Sequence, residues 1–354
     1  MEQKKNAMAH LIRVTLIIAI ASVHLVEAAA PSGAKARPRD KVKVSPANER
    51  IIVGALKYLA SKQKSNGSWG ENSFERGHPV AITGYTLIAL QSGGNLPGEG
   101  PHGKTVTKGM NYLLNVMGPD GIYGARASGQ YMYGHGIATI ALGELYGQTR
   151  SPAIRSKLTR AIKLIIASQN NQGGWRYRPI VSDADISVTV LQVVALRAAK
   201  NAGINVPQRT IDKAVKYVKA CHNSSTGGFS YQPGSSPGYA RTAAAIYSLQ
   251  VCGLYDDPLV LKGSKYLFAN HRSSQQWYVY GSFYAAPAQY MIGGETWEKW
   301  YKVVGDSVVK NVKKDGSFYR WDARGRSGVG PIFSTAIYTI MLAMPYHYIP
   351  LYLR

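Results

Sequence analysis

Two aspartates that lie close together have the clearest capacity for acid chemistry in this sequence. Asp183 and Asp185 follow a Gly-Gly-Trp turn and precede a long apolar stretch, with only Ala184 between them. Neighbouring carboxylates oppose double ionisation and burial favours the protonated form, so one of the two could be kept as an acid. Asp185 also fits a helix N-cap, because aspartate is a good cap in front of an apolar helix. The capping interpretation is the favoured one.

A second set of residues combines arginine with aromatic rings in six loops: 70–82, 124–134, 176–186, 230–241, 278–283 and 319–331. Arginine makes bidentate contacts to phosphate or carboxylate, and aromatic rings cover an apolar body. The pattern predicts a site for an amphiphilic or acidic ligand. Its candidate residues are Arg178, Arg241, His135, Tyr133, Tyr177, Tyr239, Tyr280 and Trp321. The alternative is that the arginines stack on these rings and order the loops.

Metal and cofactor chemistry finds little support in the sequence. His78 and His135 lie near the starts of apolar helices, but no second His, Cys or carboxylate follows at ligand spacing. The two cysteines, Cys221 and Cys252, form no CxxC motif. An HExxH motif is absent from the sequence. We therefore expect neither a metal nor a cofactor.

Six copies of one unit must position these residues. In each copy an amphipathic helix leads to a turn with an aromatic residue, and a second, almost wholly apolar helix follows. The turn aromatics are predicted at Trp69, Tyr123, Trp175, Phe229, Trp277 and Phe318. The first helices are predicted over 47–63, 105–117, 152–169, 206–221, 256–271 and 295–314, and the second over 80–91, 134–146, 186–199, 240–251, 284–292 and 332–344.

Alternating amphipathic and apolar helices predict an outer ring around an inner ring. The expected fold is therefore all-α: an (α/α)6 toroid of six helix-pair repeats. A linear helical solenoid is the competing architecture, although its helix pairs would be more alike in polarity. In a toroid the six loops lie at one end of the inner ring, which we call the mouth.

Two turns carry a family resemblance. YLASKQKSNGSWG, with Gln63 and Trp69, and IIASQNNQGGW, with Gln169 and Trp175, resemble the QW repeat of the squalene cyclase and protein prenyltransferase superfamily. The resemblance covers residues 47–354 and implies that Gln and Trp tie one outer helix to a neighbouring repeat. The segments YMYGHGIATIAL and MLAMPYHYIPLYLR are similar to exported single-toroid bacterial proteins with prenyltransferase/squalene oxidase repeats.

The same resemblance implies two activities. Asp183-Ala184-Asp185 is similar to the DxDD motif of class II terpene cyclases, where Asp185 matches the proton-donating aspartate, but Ile186 replaces the last aspartate. Those enzymes are expected to use two toroid-like domains, and one is present here. In the prenyltransferases a zinc-binding His follows a GGF turn. Arg241 stands at that place, and a guanidinium cannot bind zinc.

The N-terminus predicts export. Residues 1–28 have a positive start, an apolar run and a small-residue cleavage site, so they read as a signal peptide, and no membrane span is expected after cleavage. Residues 29–46 form a basic, Pro-rich linker that could touch acidic lipid at the membrane surface, and 47–354 form the toroid. The net charge of +23 favours anionic partners. Nucleic acid is not expected, because no nucleic-acid motif is present.

Three functions remain open from the sequence. The first is a terpene-cyclase-like protein that binds an isoprenoid, lipid or other amphiphile, with Asp185 and Asp183 as candidate catalytic residues. The second is a non-catalytic interaction scaffold. The third is a hydrolase or lyase of an anionic polysaccharide, which would need two acids across a cleft. The acids that the mouth loops offer for this are mainly Glu71, Glu75, Asp183, Asp185 and Asp322. A deep aromatic-lined hole would favour the lipid, a filled centre the scaffold, and a groove with two facing acids the sugar.

Overall fold

The structure, a computed structural model, describes residues 40–124, 131–272, 274–322 and 329–353. The outer helices are α1 (Pro46–Ser61), α4 (Gly103–Val116), α6 (Pro152–Ala167), α8 (Gln208–Ala220), α10 (Pro258–Ala269) and α12 (Gly294–Lys310). The inner helices are α3 (Pro79–Ser92), α5 (Tyr131–Thr149), α7 (Ile186–Asn201), α9 (Tyr239–Val251), α11 (Tyr278–Ile292) and α13 (Pro331–Ala343). A short helix, α2 (Ser73–Gly77), lies in the loop before α3.

The inner helices form a closed ring. Each packs against the next in chain order, and α13 packs against α3, which returns the ring to its first member. A linear solenoid has no contact between its first and last repeats, so the competing architecture is excluded. The predicted (α/α)6 toroid is confirmed.

Burial follows the polarity of the two helix sets. In the outer helix α8 only one face is buried, for example Ile211, Ala214 and Val218, whereas every residue of the inner helix α9 except Arg241 is buried. Small residues allow the inner helices to approach closely. A Cβ at Gly136 of α5 would lie 2.7 Å from Leu191 of α7, so a larger residue would push these helices apart.

The glutamine–tryptophan turns join neighbouring repeats as the resemblance implied. Gln63 donates from Nε2 to the carbonyl of Thr105 in the next outer helix (2.9 Å), and Trp69 Nε1 donates to the carbonyl of Leu59 (2.7 Å). The second copy makes the equivalent bonds from Gln169 to Thr210 and from Trp175 to Ile165. Each pair therefore joins the end of one outer helix to the start of the next, and the tryptophan supplies a donor to a carbonyl in the last turn of the first helix.

Two of the predicted turn aromatics are wrong. Trp277 is 45% exposed and precedes α11 in a left-handed conformation, instead of filling a turn. In the last repeat Trp321 takes the buried place assigned to Phe318, and its Nε1 donates to the carbonyl of Val308 (2.8 Å). The reason is a hairpin of β1 (Lys313–Asp315) and β2 (Phe318–Arg320), which ends α12 early and shifts the turn by three residues.

Residues 40–45, at the end of the expected linker, lie against the toroid. Val42 and Val44 pack on the core, and Asp40 Oδ2 is 3.0 Å from His347 Nε2. The expected signal peptide and the rest of the linker lie outside the described residues. Within those residues, no helix combines the length and apolarity needed to cross a membrane.

Candidate functional site

Arg176 lies at the mouth and pairs with both aspartates. It follows the buried Trp175 directly, so its side chain starts at the N-terminal end of α7. Its Nη1 is 3.0 Å from Asp185 Oδ2, and its Nε is 3.3 Å from Asp183 Oδ2. The guanidinium charge between the two carboxylates removes the repulsion that would keep one of them protonated. The aspartates therefore do not form a proton-sharing pair.

Asp185 is the N-cap of α7, as the capping interpretation predicted. Its Oδ1 accepts hydrogen bonds from the backbone N–H groups of Ser187 (2.9 Å) and Val188 (3.0 Å) and from the Ser187 hydroxyl (2.5 Å). Burial raises the pKa of Asp185, while these donors and Arg176 favour the ionised form. The side chain is fully buried, so its carboxyl group does not face a ligand at the mouth. This geometry argues against the acid role that the cyclase resemblance implied.

Tyrosines surround the Arg176 side chain. The guanidinium carbon lies 4.5 Å from the ring centre of Tyr177 and 5.5 Å from that of Tyr231, and the two tyrosine hydroxyls are hydrogen-bonded to each other. The guanidinium carbon of Arg241 also lies over Tyr231, 6.0 Å from the ring centre, and Arg241 Nη1 donates to the carbonyl of Ser236 (2.7 Å). The alternative of arginine–aromatic stacking is therefore realised at Arg176 and Arg241.

The next layer inward fills the middle of the ring. Helices α5 and α11 lie opposite each other in the ring order, yet the rings of Tyr133 and Tyr280 are only 6.4 Å apart. Tyr133 Oη is 2.6 Å from Ser187 Oγ, Tyr280 Oη donates to the Ser187 carbonyl (2.8 Å), and Tyr284 Oη donates to Tyr280 Oη (3.0 Å). Side chains from three inner helices thus meet at the axis of the toroid.

Deeper layers are also occupied. Tyr85 packs edge-on against Phe283 and Phe333, with ring centres 5.0 and 4.9 Å apart. At the end opposite the mouth the C-terminal segment covers the ring, and the Leu351 N–H donates to the buried Glu144 Oε2 (3.1 Å). The deep aromatic-lined hole that would favour a lipid inside the ring is not what these residues form.

His135 belongs to the wall of the toroid. It is fully buried; its Nδ1 accepts from the Tyr123 N–H (3.3 Å), so Nε2 carries the proton and donates to the Ala161 carbonyl (3.3 Å). Burial lowers the pKa of His135 to about 4, which keeps the ring neutral. Both nitrogens are used by backbone, which argues against the expected ligand contact. At four other turns a threonine hydroxyl accepts the equivalent backbone N–H; the turn aromatics there are Trp69, Trp175, Phe229 and Trp321.

Two other expected ligand residues are also buried. Tyr239 is 2% exposed and stacks on Tyr278, and Trp321 is 2% exposed in its turn. Of the remaining candidates, Arg178 is exposed, and Arg241, Tyr133, Tyr177 and Tyr280 are partly exposed. Arg176 and Tyr231 lie in the predicted mouth loops but were not among the candidate ligand residues. A signal for them existed, because Tyr177 and Tyr231 both stand two residues after a buried turn aromatic.

The other carboxylates expected at the mouth have structural partners. Glu71 accepts from the Tyr58 hydroxyl (2.8 Å) and from Lys62 Nζ (2.9 Å). Glu75 is fully buried and caps backbone N–H groups, and Asp322 pairs with Lys313 and Arg320. Among the described residues, no group of three His, Cys, Asp or Glu side chains could hold a metal ion. The mouth therefore offers arginines and tyrosines to a ligand, and its acids are engaged.

Comparison with known proteins gives the fold. No family model and no curated protein matches the chain. Solved structures with the same toroid include an inactive variant of the α-1,6-mannanase GH76A of Salegentibacter sp. HEL1_6 in complex with α-1,6-mannotriose. The TM-score is 0.60 at 9% identity, over 85% of this chain and 99% of that chain. The GH76 mannosidase Bt3792 of Bacteroides thetaiotaomicron matches with a TM-score of 0.57 at 10% identity, over 85% and 98%.

A variant of the type II terpene cyclase MstE from Scytonema, in complex with geranylgeranyl dihydroxybenzoate, also shares the fold. The TM-score is 0.57 at 14% identity, over 86% of this chain and 99% of that chain. Identities this low show the fold alone. The coverage corrects one expectation, because that cyclase is matched over nearly its whole length by a single toroid. Chain size is therefore no argument against cyclase chemistry here.

Proposed function

We propose that this protein is a non-catalytic binding protein whose mouth takes an anionic amphiphile. One observation carries the proposal: the mouth carboxylates are bound by cations, hydroxyls and backbone N–H groups, while Arg178, Arg241 and several tyrosines stay accessible. The Asp183 side chain is 56% exposed but pairs with Arg176, and an acid catalyst would need a carboxyl group that is not held by a cation. A binding site for an anion needs only the positive groups that remain.

The charge at the mouth comes from two sources. Arg176 is largely occupied by Asp183 and Asp185, so the exposed Arg178 and the partly exposed Arg241 supply the guanidinium groups. The inner helices begin at the mouth, and the free N–H groups and helix dipoles at their N-termini add positive potential there. Tyrosine faces beside them cover an apolar body. The filled ring centre favours a non-catalytic scaffold over a lipid inside the ring, so we place the ligand on the tyrosine layer at the mouth.

The glutamine–tryptophan turns support kinship with the squalene cyclase and prenyltransferase repeat proteins, since their hydrogen bonds follow that family's pattern. The ligand of the Scytonema cyclase, an isoprenoid joined to a dihydroxybenzoate, belongs to the proposed class of amphiphile. The proposal includes export: a positive start, an apolar run and a small-residue cleavage site support a mature chain that begins near Ala28. N-terminal sequencing of the processed protein checks it.

The binding test compares two pairs of substitutions that remove equal charge. Arg178→Ala with Arg241→Ala removes the two accessible guanidinium groups from the mouth. Lys104→Ala with Lys200→Ala removes two exposed cations from the opposite end. The probe is monododecyl phosphate below its micelle concentration, measured by calorimetry at two salt concentrations. We expect the mouth pair to weaken binding by about tenfold or more, since charge-assisted hydrogen bonds are lost. An equal loss in both pairs would mean that net charge explains binding and that the mouth is not a site.

A further inference from the structure

Four apolar side chains are exposed on the mouth side of the toroid. Phe74 is 37%, Ile180 56%, Val181 59% and Trp277 45% exposed. Phe74 lies in α2, ahead of the inner helix α3, Ile180 and Val181 lie in the loop before α7, and Trp277 lies directly before α11. Nine large apolar side chains are exposed among the described residues, and these four share one rim, which makes that rim the candidate contact surface.

Their distribution around the ring indicates the shape of the partner. Helices α3, α7 and α11 are alternate members of the six-membered inner ring. The three apolar tips therefore stand about a third of the circumference apart, around the tyrosine layer. A ligand bound in a groove would need apolar residues side by side. Three separated tips on one rim instead suit contact with an extended surface.

Positive charge accompanies each tip. Arg76 lies two residues after Phe74, Arg178 two residues before Ile180, and Arg272 five residues before Trp277, and all three arginines are exposed. The nearby acids Asp183 and Glu71 are paired with Arg176 and Lys62, which lowers their repulsion of an anionic surface. The net charge of the chain is +23. Apolar side chains beside basic ones are the combination that holds peripheral proteins to anionic lipid.

We propose that the mouth docks onto an anionic lipid bilayer. The four apolar side chains enter the interfacial region, and Arg76, Arg178 and Arg272 contact lipid phosphates. The inference rests on the proposed function, because docking places the tyrosine layer and Arg241 against lipid headgroups. It also orients the molecule: the outer helix α1 begins at the end opposite the mouth, so residues 40–45 point away from the bilayer.

Trp277 reports on docking directly. All six tryptophans lie within the described residues, and the other five are at most 2% exposed. With vesicles of phosphatidylglycerol and phosphatidylcholine, we expect the tryptophan emission to shift to the blue and its quenching by acrylamide to fall. Trp277→Phe should abolish both signals while the protein still sediments with the vesicles. Sedimentation of the unsubstituted protein without a change at Trp277 would overturn the proposal, because the basic linker would then be the contact.

A matched pair of variants tests the apolar tips. Ile180→Ser with Val181→Ser should weaken vesicle binding by about tenfold or more. Tyr348→Ser with Leu353→Ser removes two residues that are 51% and 41% exposed at the opposite end, and should leave it unchanged. Equal losses, or equal binding to pure phosphatidylcholine vesicles, would contradict docking. Ile180→Ser with Val181→Ser should still bind monododecyl phosphate, so loss of docking is distinguished from loss of the proposed mouth site.

Discussion

Glu75 and Phe333 join the first and last repeats of the ring. Glu75 Oε1 accepts from the backbone N–H of Phe333 (3.0 Å), in the first turn of α13, and Oε2 accepts from the N–H of Glu71 (2.9 Å). A fully buried carboxylate thus caps the N-terminus of one inner helix, as Asp185 caps another. Two of the acids that the sequence offers for catalysis therefore hold the rim of the toroid together.

Loss of the Glu75 carboxyl group should open this junction. Glu75→Ala leaves two backbone N–H groups without acceptors, and we expect it to lower the free energy of unfolding by roughly 3 kcal/mol. Glu75→Gln should cost less, since one oxygen remains to accept. Chemical denaturation measures both. A change below about 0.5 kcal/mol for Glu75→Ala, within the range of an ordinary surface substitution, would contradict the assigned role.

Gly330 tests the same junction by steric means. A Cβ at this position would overlap the Glu75 carboxyl group, so Gly330→Ala should cost on the order of 1–3 kcal/mol. Gly77→Ala is the control, because a Cβ there has no atom within 4 Å. We expect the control to be neutral or slightly stabilising, since alanine favours the helix. Equal effects at the two glycines would refute the overlap.

Asp185 should behave as a cap and ion-pair partner. Asp185→Asn keeps an oxygen for the N–H groups of Ser187 and Val188 but loses the charge facing Arg176, and we expect a loss of about 1–2 kcal/mol. Asp185→Ala should cost roughly 3 kcal/mol, because Arg176 then lacks its buried partner. Thermal or chemical unfolding measures the series. Unchanged stability of Asp185→Ala would reopen the acid interpretation.

Glu144 should make the protein less stable as the pH rises. Burial raises its pKa to about 7, so folding favours the protonated form. Its contribution is complete below the ordinary pKa of 4.5 and is lost as the pH rises through 7. Relative to Glu144→Gln, the unsubstituted protein should lose roughly 3 kcal/mol between pH 4.5 and 8. Parallel pH profiles for the two proteins would contradict this.

His135 should act in the opposite direction. Its pKa of about 4 lies below the ordinary 6.5, so its contribution is present above pH 6.5 and is lost as the pH falls through 4. His135→Gln keeps an acceptor and a donor for the Tyr123 and Ala161 backbone groups but does not titrate. Relative to His135→Gln, the free energy of unfolding of the unsubstituted protein should fall by roughly 3 kcal/mol from pH 7 to 3. A difference in unfolding free energy that does not change with pH would mean that the His135 imidazole is not held neutral.

Helical periodicity sufficed to predict the toroid, because the local sequence shows whether a helix is apolar on one face, as the outer helices are, or on all faces, as the inner helices are. The inner helix predicted over 186–199 is observed as Ile186–Asn201. The cap at Asp185 was also predictable, since it needs only a polar residue before an apolar helix.

Side-chain roles that depend on distant partners were not predictable. Glu75 bonds to an N–H 258 residues away, and the filled centre depends on how α5 and α11 rotate Tyr133 and Tyr280 toward the axis. His135 differed from expectation because a longer side chain replaces the threonine found at the other turns. The sequence repeat identifies the positions of these residues, but it does not show the direction in which each side chain points.

Hydrogen exchange with and without monododecyl phosphate tests the central claim most directly. If the mouth binds anionic amphiphiles, backbone amides in the loops 176–186 and 230–241 should exchange more slowly with the probe present. Neutral dodecyl maltoside should have little effect, and the C-terminal segment at the opposite end should not change. Protection at that end, or protection inside the ring without any at the mouth loops, would contradict the account.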